Sequence, residues 1–374
     1  MKIVIAPDKF KNSLSSLEFC NIVEKQILSQ NPEATIVKLP LADGGDGTID
    51  IVNFYLNGET KEKTVSNPFF KAIKATYLYA EKSKTAFIEM AEASGVKLLS
   101  ANALDCKNAT TFGTGELILD AINNGAKNII LGIGGSATND CGIGMATALG
   151  YRFLDKENKS VNPIGAKLST IKTIDLSQVH PKLFEVDFQI ACDVTNPLYG
   201  KNGAAYVYAE QKGATKEDIK LLDKGLEDFS KIISSVFHVN AQSVSGAGAA
   251  GGMGIAAKVF LKGNLESGIK LIKQLSDFDN QITDADWIIT GEGKLDKQTL
   301  SGKTIQGILD ASAPKNIKVA AFCGTIDINK KNLNSMGITY AAEVIKEAKN
   351  LEDAMMNAKL HLKNMTKKFV NQMQ

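Results

Sequence analysis

The stretch Lys2–Asp8 reads "KIVIAPD", a short apolar run that ends in Pro7 and Asp8. Bounded this way, it reads as a buried strand delivering its C-terminal end to a loop. Downstream, Ser15 with Glu18 three residues on makes a capping box for an amphipathic run to about Leu28. Strand, loop and capped helix open an α/β unit. "TIVKLP" gives a second strand, the loop "LADGGDGTI" (Leu41–Ile49) follows it, and a short helix runs from Thr48 to Tyr55.

From about Glu59 the texture changes, with "ATYLYA", the charged turn "EKSK" and "TAFIEMA" reading as a β-hairpin. A helix from Thr114 to Asn124 is stopped by Gly125, "NIILGI" is a strand, and "GGSATNDCGIG" leads into a helix around Met145–Leu149. "FQIACDV" is a strand ending at Asp193, and Thr215 with Asp218 opens a long charged helix toward Val236. After "GAGAAGGMG" come "WIITGEG", "VAAFCG" and "ITYAAEVI", each an apolar strand ending in small or acidic residues. Strands alternating with helices argue for mostly parallel sheets whose sites lie beyond the strand C-termini. The first strands and the last three are alike and bracket a different middle. The expected architecture is therefore α/β with two domains: a discontinuous terminal α/β domain at 1–65 plus 285–374, and an inserted α/β domain at 66–284.

Composition narrows the chemistry. In 374 residues, 43 Lys and Arg against 41 Asp and Glu leave a net charge of +2, so no global basic field draws nucleic acid or an anionic membrane. The chain opens on "MKIVIAPD" without a leader, and no apolar run approaches the roughly 18 residues of a transmembrane helix, so a cytoplasmic location is expected. Five scattered cysteines without a Cys-x-x-Cys pair, and histidines only at 180, 238 and 361, indicate neither a disulfide framework nor a zinc centre. Arg152 is the only arginine, so bidentate guanidinium clamping of anions is unavailable and lysine, hydroxyls, backbone N–H groups or a metal must serve. Without a heptad seam or large apolar stripe, the oligomeric state is open.

Three obvious motifs fail on inspection. "SGKT" at 301–304 ends like a P-loop, but Lys297 stands where its first glycine belongs. "GAGAAG" at 246–251 fits G-x-G-x-x-G, yet it follows "NAQSVS" rather than an apolar strand, and Glu266 lies in a glycine-flanked segment rather than at a strand end. Around Ser136, Thr138 replaces the second glycine of a nucleophile elbow. What remains is two glycine-rich anion cradles, Gly134-Gly135-Ser136-Thr138 with a following helix N-terminus, and "GAGAAGG", together with acids at strand ends: Asp8, Asp43, Asp46, Asp140, Asp193, Glu292 and Asp296. Lys9, Lys11, Lys294 and Lys303 could neutralise phosphate charge. This inventory suits phosphoryl transfer without a P-loop.

The blocks "IAPDKFKNSLSS", "PLADGGDGT", "FIEMAEASG", "TFGTGELI", "GIGGSATND", "ACDVTNPLYG", "GAGAAGGMG" and "ITGEGKLDKQTLSGKT" together resemble the type-1 glycerate kinases across essentially the whole chain. The resemblance implies ATP-dependent phosphorylation of D-glycerate to 2-phosphoglycerate with Mg2+. It also implies a flavodoxin-like domain, taken here as the inserted one, and an active site in an interdomain cleft. One departure is Ala209-Glu210 before Gln211-Lys212, where the family shows Gly-Pro. On this reading Asp193, then Asp8, are candidate bases, with Lys9 beside them. Asp43, Asp46, Lys11, Ser136, Thr195 and Asn196 would hold substrate. Gly134, Gly135, Thr138, Gly248, Gly251, Gly252 and Lys303 would hold ATP, and Asp43, Glu292 and Asp296 the metal. The rival enzyme reading is an NAD-dependent 2-hydroxy acid oxidoreductase resting on "GAGAAG". Residues alone do not separate 2-hydroxyl from 3-hydroxyl transfer.

Overall fold

The computed structural model describes residues 1–10, 13–42, 47–296 and 304–373. In chain order the strands are β1 Lys2–Ile5, β2 Thr35–Lys38, β3 Glu59–Ser66, β4 Ala72–Ala80, β5 Thr85–Glu89, β6 Asn128–Gly132, β7 Arg152–Leu154, β8 Thr173–Asp175, β9 Asp187–Ala191, β10 Asn264–Glu266, β11 Trp287–Thr290, β12 Lys294–Leu295, β13 Lys318–Cys323, β14 Thr325–Ile326 and β15 Ile338–Glu343. The chain divides into two compact units, Met1–Tyr55 with Gly268–Gln374, and Leu56–Ser267.

In the terminal unit five strands pair in the order β15-β13-β11-β1-β2, every pair parallel. Ile3, Val4 and Ile5 of β1 have no exposed surface, as an unbroken apolar run requires when both faces of a parallel sheet are covered. Helix Ser16–Gln30 starts on the expected capping box: Ser15 Oγ accepts the Glu18 N–H at 3.1 Å, and Glu18 Oε2 accepts the Ser15 N–H at 3.0 Å. Its Phe19, Val23 and Ile27 share a core with Leu362, Met365 and Phe369 of helix Ala358–Met373. Read in chain order this sheet runs 2-1-3-4-5, the doubly wound flavodoxin order. That order therefore belongs to the terminal unit, whereas the flavodoxin-like label was expected for the inserted one.

The inserted unit has a mixed six-stranded sheet, β10-β9-β6-β5-β4-β3, with β3–β4 and β4–β5 antiparallel and the rest parallel. Because β3 pairs with β4 along its whole length, residues 59–65 belong to this unit, not to the terminal segment expected to reach 65. Helix Gly268–Leu275 conversely belongs to the terminal unit, short of the expected boundary at 284/285. Glu266 closes β10, which corrects its expected place away from a strand end. Glu89, Gly132, Ala191 and Glu266 align in register across four neighbouring parallel strands, so the loops after β5, β6 and β9 leave the sheet from one edge. Helix Lys216–Phe237 begins on the Thr215–Asp218 box and buries Leu222, Leu226, Phe229 and Ile233. Among the described residues no helix is long and apolar enough to cross a membrane.

Candidate functional site

Each unit gathers chemistry where its parallel strands end. In the terminal unit the chain leaves β1 through Asp8, whose N–H donates to Gly291 O just beyond β11 at 2.8 Å. The Asp8 carboxylate accepts the Lys9 N–H at 2.7 Å on Oδ1 and the Thr304 hydroxyl at 2.8 Å on Oδ2. Glu292 and Gly324, at the ends of β11 and β13, line the same cavity of about 400 Å³ together with Lys9, Lys294 and Asp296. Gly324 is needed for the close approach of these strand ends: a Cβ there would lie 2.3 Å from Gly293 O. Lys294 Nζ pairs with Asp296 at 3.2 Å. Val344, Ile345, Leu351 and Met355 add an apolar part to the lining. The topology thus brings Asp8, Lys9, Glu292 and Asp296 together from separate stretches of sequence. Among the described residues no three His, Cys, Asp or Glu side chains converge closely enough to cage a metal. Glu292 and Asp296 could contribute to a cation only alongside ligands carried by a substrate, which is the usual manner of Mg2+ with phosphates.

In the inserted unit the loop after β6 exposes Gly134 and Gly135 and buries Ser136 beside them. A Cβ on Gly134 would meet nothing within 4 Å, whereas one on Gly135, which stands at φ +69°, would lie 3.4 Å from Ala91 Cβ, so the open space is at Gly134. From below, the Val96 N–H donates to Gly135 O at 3.0 Å, and the Ala137 N–H donates to Ser94 O at 2.9 Å. The next turn is pinned by Asp140, which has no exposed surface. Its carboxylate accepts from the Thr111 N–H at 2.7 Å, the Thr111 hydroxyl at 2.8 Å, Gly142 N–H at 3.1 Å and Gly144 N–H at 3.3 Å. Burial holds this carboxyl above the usual range against those donors. Asp140 is a structural pin, not the metal or base carboxylate considered from sequence. The helix expected to abut the cradle begins only at Ile143, so it adds no dipole at Gly134.

The second cradle is a packing device. Gly251 and Gly252 stand at φ +74° and +93°, and a Cβ on Gly251 would lie 2.2 Å from Thr138 O. A Cβ on Gly248 would lie 2.2 Å from Pro197 O. Gly248, Gly251 and Gly252 are buried against protein backbone, which corrects their expected contact with ATP. Thr138 lies beneath the surface, and its hydroxyl is buried without a hydrogen-bond partner among the described residues. Asp193 and Thr195 are exposed on the loop after β9. Asn196 in that loop is committed internally: its Nδ2 donates to Asn202 O at 2.9 Å, and its Oδ1 accepts the Tyr208 hydroxyl at 2.6 Å.

The family model for the glycerate kinase family matches residues 3–374. The chain belongs to the glycerate kinase family. This member is 41% identical to a glycerate kinase of Bacillus cereus over 95% of its own length and 93% of the relative's. It is 39% identical to the glycerate 2-kinase of Escherichia coli, covering 96% of this chain and 94% of that one. A crystal structure from Salmonella typhimurium LT2, provisionally named glycerate kinase 2, superposes with a TM-score of 0.89 at 38% identity, covering 100% of this chain and 98% of that one. Membership makes it a kinase.

Two residues of this glycerate kinase family member escaped sequence reasoning. Lys212 is buried, with Nζ donating to Ser136 Oγ at 2.6 Å and Thr138 O at 2.9 Å. Thr304, weighed only as the last letter of a P-loop, instead orients Asp8. Asp43, Asp46, Lys11 and Lys303 lie outside the described residues.

Proposed function

We propose that the chain transfers the γ-phosphoryl group of ATP to the 2-hydroxyl of D-glycerate, giving 2-phosphoglycerate. The observation that carries this reading is the cavity at the ends of β1, β11 and β13, which Asp8, Lys9, Glu292, Lys294 and Asp296 line together with apolar side chains. Phosphoryl transfer asks for such charges to be placed, since little covalent chemistry falls to the protein. Bound with the nucleotide, Mg2+ would offset phosphate charge. Glu292 and Asp296 are the described carboxylates available to it, with Lys9 and Lys294 beside them. Asp193, exposed after β9, is the acceptor-side base, with Asp8 second; Thr195 and Ser136 lie on the loops that hold substrate. The choice of the 2-hydroxyl is supported by the name of the E. coli relative.

ADP release that depends on D-glycerate, followed by phosphorus NMR of the product, tests both parts. No glycerate-dependent ADP removes the activity, and a 3-phosphate product removes the regiochemistry. An oxidoreductase loses its motif here, because the glycines of "GAGAAG" pack on protein. Reduced-nicotinamide absorbance on mixing with NAD and glycerate would restore it.

A further inference from the structure

Lys212 is a buried ammonium whose hydrogen bonds go to a hydroxyl and a carbonyl, both neutral. A charge so placed is costly unless something nearby repays it. Asp140 acts on it only through space, because its carboxylate is taken up by Thr111, Gly142 and Gly144. The other titratable neighbour, Cys106, is a buried thiol pushed up to about 11, hence neutral at ordinary pH.

Proton direction then follows from chemistry. An ammonium can only donate, so Ser136 Oγ is an acceptor toward Lys212 and must turn its own proton elsewhere. Among the described residues no acceptor takes that proton, and the amide N–H groups of Gly134, Gly135 and Ser136 make no backbone hydrogen bond. The loop therefore offers one fixed hydroxyl donor and unspent amides on an exposed glycine backbone, over a single positive charge. One positive charge matches a monoanion, a carboxylate, better than a triphosphate. The lone arginine is engaged with Asp175 on the β7–β8 pair.

Resting on the proposed activity, we infer that Lys212 is a positioning residue for the carboxylate of the hydroxy-acid substrate: it locks Ser136 as an outward donor on the Gly134–Ser136 loop. Steady-state kinetics of Ser136→Ala, Lys212→Met and the double variant test this, with D-glycerate and ATP varied separately and circular dichroism checking the fold. A hydrogen bond to a charged group corresponds to roughly a ten- to hundredfold effect. Each single variant should raise KM for D-glycerate by about that factor, leave KM for ATP within about twofold, and change kcat less than KM. The double variant should be no worse than the worse single one, because Lys212 acts through Ser136. An unchanged glycerate KM in a folded Ser136→Ala overturns the inference, as does a rise confined to ATP or effects that multiply. Should Lys212→Met not fold, Ser136→Ala alone decides. A wild-type chain inactive on D-glycerate overturns the proposed function and this inference with it, whereas an active wild type with unmoved KM values sinks the inference alone.

Discussion

Asp193 and Asp140 show how differently two acids in glycine-rich surroundings can be used. Asp193 is exposed just past the end of β9, so Asp193→Asn should lower kcat by roughly two to four orders of magnitude, the usual worth of a general base, with the fold retained by circular dichroism. Turnover near the wild-type rate would remove it from the mechanism. Asp140 has no exposed surface and accepts four hydrogen bonds, so Asp140→Asn turns a donor toward donors and should cost about 3–5 kcal/mol in denaturant unfolding. Lys212 makes a third, pH-dependent case. Burial pushes it down to about 8 from 10.5, so between those values the unfolded chain binds a proton that the folded chain has lost. Stability contributed by this group therefore rises with pH across that window, by on the order of 3 kcal/mol, at about 1.36 kcal/mol per unit. Unfolding free energies measured from pH 8 to 10.5 should climb in wild type relative to Lys212→Met; parallel curves would contradict the buried ammonium.

At the scale of elements, what the sequence announces is what neighbours along the chain decide. Ser15 with Glu18 and Thr215 with Asp218 are pairs three residues apart, and both boxes form as read. Strands with unbroken apolar runs, such as β1 and β11, were equally plain, and the strand-end placement of Asp8, Glu292 and Asp193 followed from them. The glycines of "GAGAAGG" look the same locally whether a phosphate or a carbonyl comes close, and the carbonyl is Thr138 O, far away in sequence. Lys212 was illegible for the same reason, since its partners Ser136 and Thr138 arrive through the fold. Gly251→Ala is the matching test. It combines φ +74° with a Cβ 2.2 Å from Thr138 O, so it should destabilise by about 2–4 kcal/mol, read as a lowered unfolding midpoint. An unshifted midpoint would mean that this contact is loose.

For the whole molecule, the discontinuous organisation was legible because the first strands and the last three share one character. The boundaries were not, because β3 is charged and betrays its sheet only through pairing with β4. The topology also says which pieces can stand alone. Every partner of the inserted sheet, β3 to β6 with β9 and β10, lies within 56–267, and that unit's core runs from Val65 to Leu261. The first 55 residues, in contrast, contribute a β1 that needs β11 beside it and a helix Ser16–Gln30 that needs Phe369 and its neighbours. A fragment spanning 56–267 should therefore melt cooperatively and give dispersed amide resonances, while a fragment spanning 1–55 should show neither. A collapsed, non-cooperative 56–267 fragment would mean that the inserted sheet depends on residues outside it, and the division into two units would have to be redrawn.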